Sequence, residues 1–354
     1  MEAAGNDEED LRARAAWLHF IGRMTHADVA DTLHIPAFKV QRLIARATRD
    51  GVVQVFVNSP VAECVRLERV LCGAFGLAEC LVAPTLGGKN TPLAAIATAG
   101  AQYVHRVLQE AAHPIIGLGH GRTLAALVEH LPRSQAPQVS FVALLGGLTT
   151  SFSADPYDVI HSISGRTGAQ GFFLPVPFFA NSAADRAVLL SQVGVMEVQA
   201  LARRASLLLV GIGTATRDGF LARNGSVAAD DLGELARLGA SGELLGYFFD
   251  QHGGRVETAV SQRSITLDYD QLDGRNMVAV AGGPDKIEAL LSVLRTGFLQ
   301  GLITDEETAR TLAARASEAG TAPPRRASPP TAVRRPRAAG LEASRRGRAA
   351  AVVP

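Results

Sequence analysis

Apolar positions along the chain change their period near residue 60. Before it they follow helical spacing at Leu11, Ala15, Leu18 and Ile21, through the short run THADVADTL, and through AFKVQRLIARATRDG, before an alternating VVQVFVN closes the block. Three helices and a strand predict a small winged helix-turn-helix domain over residues 10–58. From Pro60 on, short continuous apolar runs alternate with helical patterns. CLVAPT, PIIGLG, VSFVALLGG, QGFFLPVP, SLLLVGIG, MVAVAGG and GLITDE read as strands, with helical spacing at 91–112, 121–131, 155–168, 184–205 and 284–298. That alternation of strands and helices reads as a sheet covered by helices on both faces, so residues 59–316 are expected to form a doubly wound, mainly parallel α/β domain.

Within the first block, Val29, Ala30 and Leu33 keep helical spacing, Thr25 can cap that helix with Asp28 in the capping-box position, and Pro36 fits the first turn of the next helix. Projecting that third helix puts Val40, Leu43, Ile44 and Ala47 inward and Phe38, Gln41, Arg42, Arg46 and Arg49 outward. Arginine can grip guanine or phosphate and glutamine can pair with adenine, so the face suits a major groove. The candidate DNA-facing residues are Thr25, Phe38, Lys39, Gln41, Arg42 and Arg46. Residues 11–58 hold seven basic side chains against three acidic ones, a local net of +4 in a chain of formal charge +1. An ordinary solvated helix in a small interaction domain is the competing reading. One such unit reads a half-site, which calls for at least a dimer.

In the second block several apolar strands end in glycine and hydroxyl residues: GLGHGRT at 117–123, LLGGLTT at 144–150, GIGTAT at 211–216 and AGGPDK at 281–286. Glycine lets a ligand approach the backbone, and a helix starting after it aims bare amides and a positive dipole end at an anion. In an open parallel sheet such turns gather on one edge. None matches a P-loop, and the dinucleotide fingerprint fails at Leu124. Taken together the turns point to a small phosphorylated ligand; tight strand-to-helix packing explains any one of them taken alone. Lysine is rare, limited to Lys39, Lys89 and Lys286, so Lys286 is either a phosphate contact or a plain surface lysine. Arg122 and Arg263 are further cationic candidates, Thr123, Thr149, Thr150 and Thr214 can donate hydroxyls, and Gly213 sits in the third turn. Asp250 either accepts from sugar hydroxyls or closes a strand, and His120 either touches ligand or is structural.

Charge and composition then narrow the setting. From Ser317 on, eight arginines face two glutamates among proline and alanine, so 317–354 reads as a disordered tail, with nonspecific DNA attraction as an alternative role. Residues 1–9 are acidic and polar, read as disordered and unlike a secretory signal. Apolar runs are too short to span a bilayer. The three cysteines, Cys64, Cys72 and Cys80, lack zinc spacing and fit a reduced compartment, so a cytoplasmic protein with no metal, no cofactor and no membrane partner is expected. No nucleophile-and-base pattern stands out among the nine histidines or elsewhere, and no catalytic residue is assigned.

Taken in order, AAWLHFIGRMTHADVADTLHIPAFKVQRLIARATRDGVV, ECVRLERVLCGAFGL, GLGHGRTLAAL, VALLGGLT, LLLVGIGT, GELLGYFFD, MVAVAGGPDKIEAL and GLITDEETAR resemble the SorC-type sugar-binding transcriptional regulators, grouped with DeoR-like repressors. The resemblance covers about residues 11–315. It implies a winged helix-turn-helix head, an effector domain with the fold of sugar-phosphate isomerases, a phosphorylated sugar or related effector, and a homotetramer. It places the phosphate side at Gly119, Gly121, Arg122 and Thr123, with Gly146 and Gly147 in the second turn and Lys286 in the last. VPFFANS and LLGGLTT resemble the branch regulating erythritol catabolism. Pro36 and Ala37 replace the Ser and Arg that often open the recognition helix, and Leu145 replaces an Arg found in some members. The expected function is a DNA-binding regulator of a carbohydrate or polyol catabolic operon that binds double-stranded operator DNA and a phosphorylated effector. A sugar-phosphate isomerase or deaminase with an accessory nucleic-acid module, and an assembly module with a vestigial pocket, are the alternatives.

Overall fold

The computed structural model describes residues 2–53, 61–85, 92–147 and 158–318. Its head is three helices, α1 (Glu2–Phe20), α2 (His26–Leu33) and α3 (Ala37–Arg49). The acidic start, expected to be disordered, belongs to α1 instead. Alanine, which occupies positions 3 and 4, is the strongest helix former. Ala15, Val29, Val40, Leu43 and Ile44 form the head's core, and the inward side of α3 is the one its periodicity specifies. The Asp28 amide donates to Thr25 Oγ1 and the Thr25 amide to Asp28 Oδ2, so the capping box is closed. The chain reverses through His34 at φ 52°, a left-handed position that histidine tolerates better than most residues. Pro36 caps α3 from just outside it rather than occupying its first turn. Most of the VVQVFVN run lies outside the described residues; Val52 and Val53 form a bend whose amides donate to the Ala47 carbonyl.

The second block opens with α4 (Ala62–Phe75), β1 (Glu79–Ala83), α5 (Pro92–Glu110), β2 (Ile115–Leu118), α6 (Arg122–His130), β3 (Ser140–Ala143), α7 (Val159–Thr167) and β4 (Gln170–Phe172). It continues with α8 (Ala183–Leu190), α9 (Val193–Arg203), β5 (Leu207–Val210), β6 (Gly213–Thr214), α10 (Phe220–Arg223) and α11 (Ala229–Arg237). Then come β7 (Ala240–Leu244), β8 (Tyr247–Asp250), β9 (Arg255–Val256), α12 (Ala259–Arg263), β10 (Met277–Val280), α13 (Ile287–Arg295), β11 (Gly301–Asp305) and α14 (Glu306–Glu318). Seven strands form one sheet in the order β1-β11-β10-β5-β2-β3-β4, every pairing parallel. They are the seven apolar runs of the sequence. One face packs on α5, α6 and α7 through Ile96, Leu127, Phe141 and Ile160. The other packs on α4, α13 and α14 through Leu67, Leu71, Leu290 and Leu312.

The chain proceeds from β2 to β3 and β4 on one side and from β5 to β10 and β11 on the other. Strand order therefore reverses between β2 and β5, the place where open α/β sheets form a crevice. A second, antiparallel sheet, β6-β7-β8-β9, stands beside it. The apolar pattern does not announce this sheet. Its central hairpin turns through Leu245 and Gly246, both at positive φ (51° and 80°), the signature of a two-residue type I′ turn.

Gly146 is held by packing rather than by a ligand. A Cβ there would stand 2.4 Å from the Pro177 carbonyl oxygen, which is backbone and has little room to give, while the amide of Gly147 donates to Val176 and that of Phe178 to Gly147. Gly146→Ala is expected to lower stability by about 1–3 kcal/mol, measured by urea unfolding. A cost below about 0.5 kcal/mol, the range of a neutral surface change, would show that the 176–178 crossing yields.

Candidate functional site

At the reversal between β2 and β5 a cleft of about 780 Å³, counting its open mouth, is walled by the turns after β2, β5 and β10 and by the β7–β8 hairpin. Gly119 lies close over the backbone of Val210 and donates to the Leu209 carbonyl. Gly121 caps α6 at φ 114° with open space where a side chain would be. That conformation excludes most residues and leaves the first amides of α6 bare toward the cleft. Arg122 and the buried Thr123 follow in the first turn of that helix. Across the cleft, Gly283 at φ 111° turns the chain out of β10 and sets the half-buried Lys286 at the wall. Arg122, Lys286 and a helix N-terminus thus face one cleft, an arrangement that can receive an anion.

The same cleft also holds acidic and apolar groups. Glu243, Asp218 and Asp285 line it together with Phe178, Phe220 and Leu245. Glu243 is buried, and its Oε1 accepts the Gly246 amide at 2.6 Å. A Cβ on Gly213 would lie 2.2 Å from Glu243 Oε2, so this glycine makes room for the carboxyl group. Burial pushes the Glu243 pKa up to about 7, opposed by the Gly246 hydrogen bond and by Lys286. Burial also lowers the Lys286 ammonium below its ordinary value; Asp285 and Glu243 raise it and Arg122 lowers it further.

A carboxyl group with a native pKa above its unfolded one binds its proton more tightly when folded. The stability it confers is full below about pH 4.5 and is lost as pH rises through about 7. Glu243→Gln keeps the shape without the ionisation. The variant is expected to exceed the native protein's stability at pH 8 by up to about 3 kcal/mol, with the gap shrinking as pH falls toward 4.5. Urea unfolding across that range measures it. A gap that does not change with pH would remove Glu243 as the titrating group.

The structure brings Gly119, His120, Gly121, Arg122, Thr123, Gly213 and Lys286 to the cleft. Four other sequence candidates stand elsewhere. Gly146 and Gly147 pair with residues 176–178, as above. Asp250 accepts from the amides of His252 and Gly254, both at 2.8 Å, and closes the turn after β8. Arg263 is committed to Asp231 at 2.7 Å and to the Ala180 carbonyl. Thr149, Thr150 and Lys89 lie outside the described residues. Glu243, Asp218, Phe178, Phe220 and Arg223 were missed by sequence reasoning. The one available signal was a lone acid inside the apolar stretch GELLGYFF.

On the head, Phe38, Gln41, Arg42 and Arg49 are exposed along α3, Phe38 at 71 %. Arg46 is less free than its position suggests. It meets Glu8 and Asp50, each at 3.3 Å, and Asp50 also binds Arg12 of α1. Thr25 Oγ1 donates to Asp28 and serves the cap. Among the described residues no group of three His, Cys, Asp or Glu side chains could hold a metal ion, and no helix is long and apolar enough to cross a membrane.

A helix-turn-helix head followed by a doubly wound sheet with an anion-receiving crevice at its switch point is the build of a ligand-responsive transcriptional regulator. A model of the family described as "Putative sugar-binding domain" matches residues 59–314, and the chain belongs to the SorC-type sugar-binding transcriptional regulators. It is 45% identical over 305 residues to the erythritol catabolism regulatory protein EryD of Brucella abortus, spanning 86% of this chain and 96% of that one. It is 30% identical over 315 residues to the sorbitol operon regulator of Klebsiella pneumoniae, spanning 87% and 98%. The crystal structure of the full-length sorbitol operon regulator SorC from the same species has a similar fold, with TM-score 0.67 and 26% identity over 86% of this chain and 98% of that one. These relatives are named as regulators, not as enzymes.

Proposed function

We propose that this protein represses or activates a carbohydrate or polyol catabolic operon in the cytoplasm, and that a phosphorylated sugar or polyol, held in the cleft, is the effector. Residues 10–58 bind operator DNA, residues 59–316 bind the effector and build a homotetramer, and no catalytic step is required. The observation that carries this reading is the mixed lining of the cleft. The α6 amides, Arg122 and Lys286 can receive a phosphate, and the carboxyl groups of Asp218, Glu243 and Asp285 in the same cleft can accept from hydroxyls. The 45% identity to an erythritol regulator supports a short polyol phosphate within that class.

A ligand that binds the two arrangements of the oligomer unequally changes operator affinity without further machinery. Thermal-shift screening of free and phosphorylated sugars and polyols, including erythritol and erythritol 4-phosphate, tests the effector class. Promoter-region DNA binding with the best hit then tests the coupling. A melting temperature raised by none of the phosphorylated compounds would overturn the effector reading. Isomerase-like turnover is the second reading, favoured by the buried Glu243 beside Lys286. Turnover of the same panel would establish it.

A further inference from the structure

We propose that Thr308 and Asp305 are positioning residues that transmit effector binding from the Lys286 turn to the helix next to the DNA-binding head. The inference rests on the reading under Proposed function. The Gly283 amide donates to Thr308 Oγ1 at 2.8 Å. Thr308 Oγ1 in turn donates to Asp305 Oδ2 at 2.6 Å, and the Thr308 amide donates to Asp305 Oδ1 at 3.0 Å. Thr308 and Asp305 are almost fully buried, at 2 % and 3 % exposure. Capping α14 requires only the Asp305 bonds; the bond to Gly283 is additional, and it joins the cleft wall to the start of α14.

The turn is also seated directly on these groups. A Cβ on Gly282 would lie 2.3 Å from Asp305 Oδ2 and 2.9 Å from Thr304 Oγ1. There is no slack between turn and helix. If an anion draws Lys286 inward, the motion either breaks a buried hydrogen bond, at a cost of about 1–3 kcal/mol, or carries α14 with it. Thr304 Oγ1 is buried beside Gly282 with no hydrogen-bond partner among the described residues. An unmet hydroxyl at this point gives a shifted turn a group to bond, which a two-state element needs.

From α14 the path is short. Ala309, Leu312 and Ala313 share one core with Leu67 and Leu71 of α4. At the rim Arg310 bonds Glu306 at 2.7 Å and stands 3.8 Å from Glu63 in the first turn of α4. Glu306 also accepts the Thr85 amide. Helix α4 is the first described element after the head, so any tilt of α14 reaches the point where the two blocks join.

The test measures dissociation constants of erythritol 4-phosphate and ribose 5-phosphate on the full chain, with and without bound promoter-region DNA. By reciprocity, coupling appears as a ratio of those constants different from one, and an allosteric regulator is expected to show about 5-fold or more. Thr308→Ser should keep the ratio. Thr308→Val should bring it to within about 2-fold of one while changing the DNA-free constant by less than about 3-fold, well below the roughly 30-fold or more of a lost direct charged contact. Asp305→Asn, which keeps the side-chain shape, should behave like Thr308→Val and serves if the valine variant does not fold. A ratio preserved in Thr308→Val or in Asp305→Asn overturns the proposal and leaves the pocket reading standing. No binding of either compound to the native protein overturns the pocket reading and this inference with it.

Discussion

Lys286→Ala is expected to weaken binding of a phosphorylated sugar or polyol about 30-fold or more while leaving affinity for promoter DNA within about 2-fold. Truncating one partner of a desolvated charge pair costs about 2–5 kcal/mol, and each 1.4 kcal/mol is tenfold. Lys286 is half-buried at the cleft wall, where burial already strains its ammonium, so a bound phosphate repays a larger share of that desolvation than at an exposed site. The alanine also removes the cation that acts on Glu243 and Asp285, which turns the cleft against a second negative charge. DNA affinity is untouched because the substitution lies outside the head. Titration calorimetry and fluorescence anisotropy read the two quantities separately, and an unchanged effector constant would remove Lys286 from the site.

For the head, Arg42→Ala is expected to reduce operator affinity by about 1–3 kcal/mol, roughly 5- to 150-fold, whereas Arg46→Ala should cost no more than about 3-fold. Both arginines lie on α3, yet Arg46 spends its guanidinium on Glu8 and Asp50, while Arg42 stands exposed. If Arg42 reads a base, the loss falls on one position of the operator. If it holds a phosphate, all sequences weaken alike and the salt dependence becomes shallower by about one counterion. Equal losses for the two variants would show that the Arg46 ion pairs open on binding.

The legible parts of this protein were those where a single local rule decides. All seven strands of the parallel sheet are continuous apolar runs because both faces are covered, and the inward face of α3 follows from period alone. The β7–β8 hairpin was hidden because its type I′ turn carries Leu245 where Asn or Asp usually signals it, and because glycines interrupt the strand alternation. The region 184–205 reads as one helix but breaks at Ser191 and Gln192, and Gly194 lies inside the first turn of the next helix rather than at the break. Gly121 and Gly146 look alike in the sequence; one is needed for its φ at the cleft, the other for the close passage of Pro177. The pairs Arg263–Asp231 and Arg12–Asp50 join residues more than thirty positions apart, so nothing local could withdraw Arg263 from the cleft or occupy Asp50. Glu243 escaped for a similar reason, since its role depends on a hairpin the pattern did not reveal.

The wall of the cleft is built from two kinds of material. Glycine turns of the parallel sheet supply backbone, whereas the β7–β8 hairpin and its neighbours supply side chains, Glu243 and Leu245 with Phe178 and Phe220. Exchanging a hairpin side chain leaves the load-carrying sheet alone, and Leu245 already sits at a φ that glycine or asparagine would hold with less strain. A chain built this way can change the shape and charge of its cleft by altering a handful of codons in one small hairpin, leaving the glycine turns of the sheet as they are.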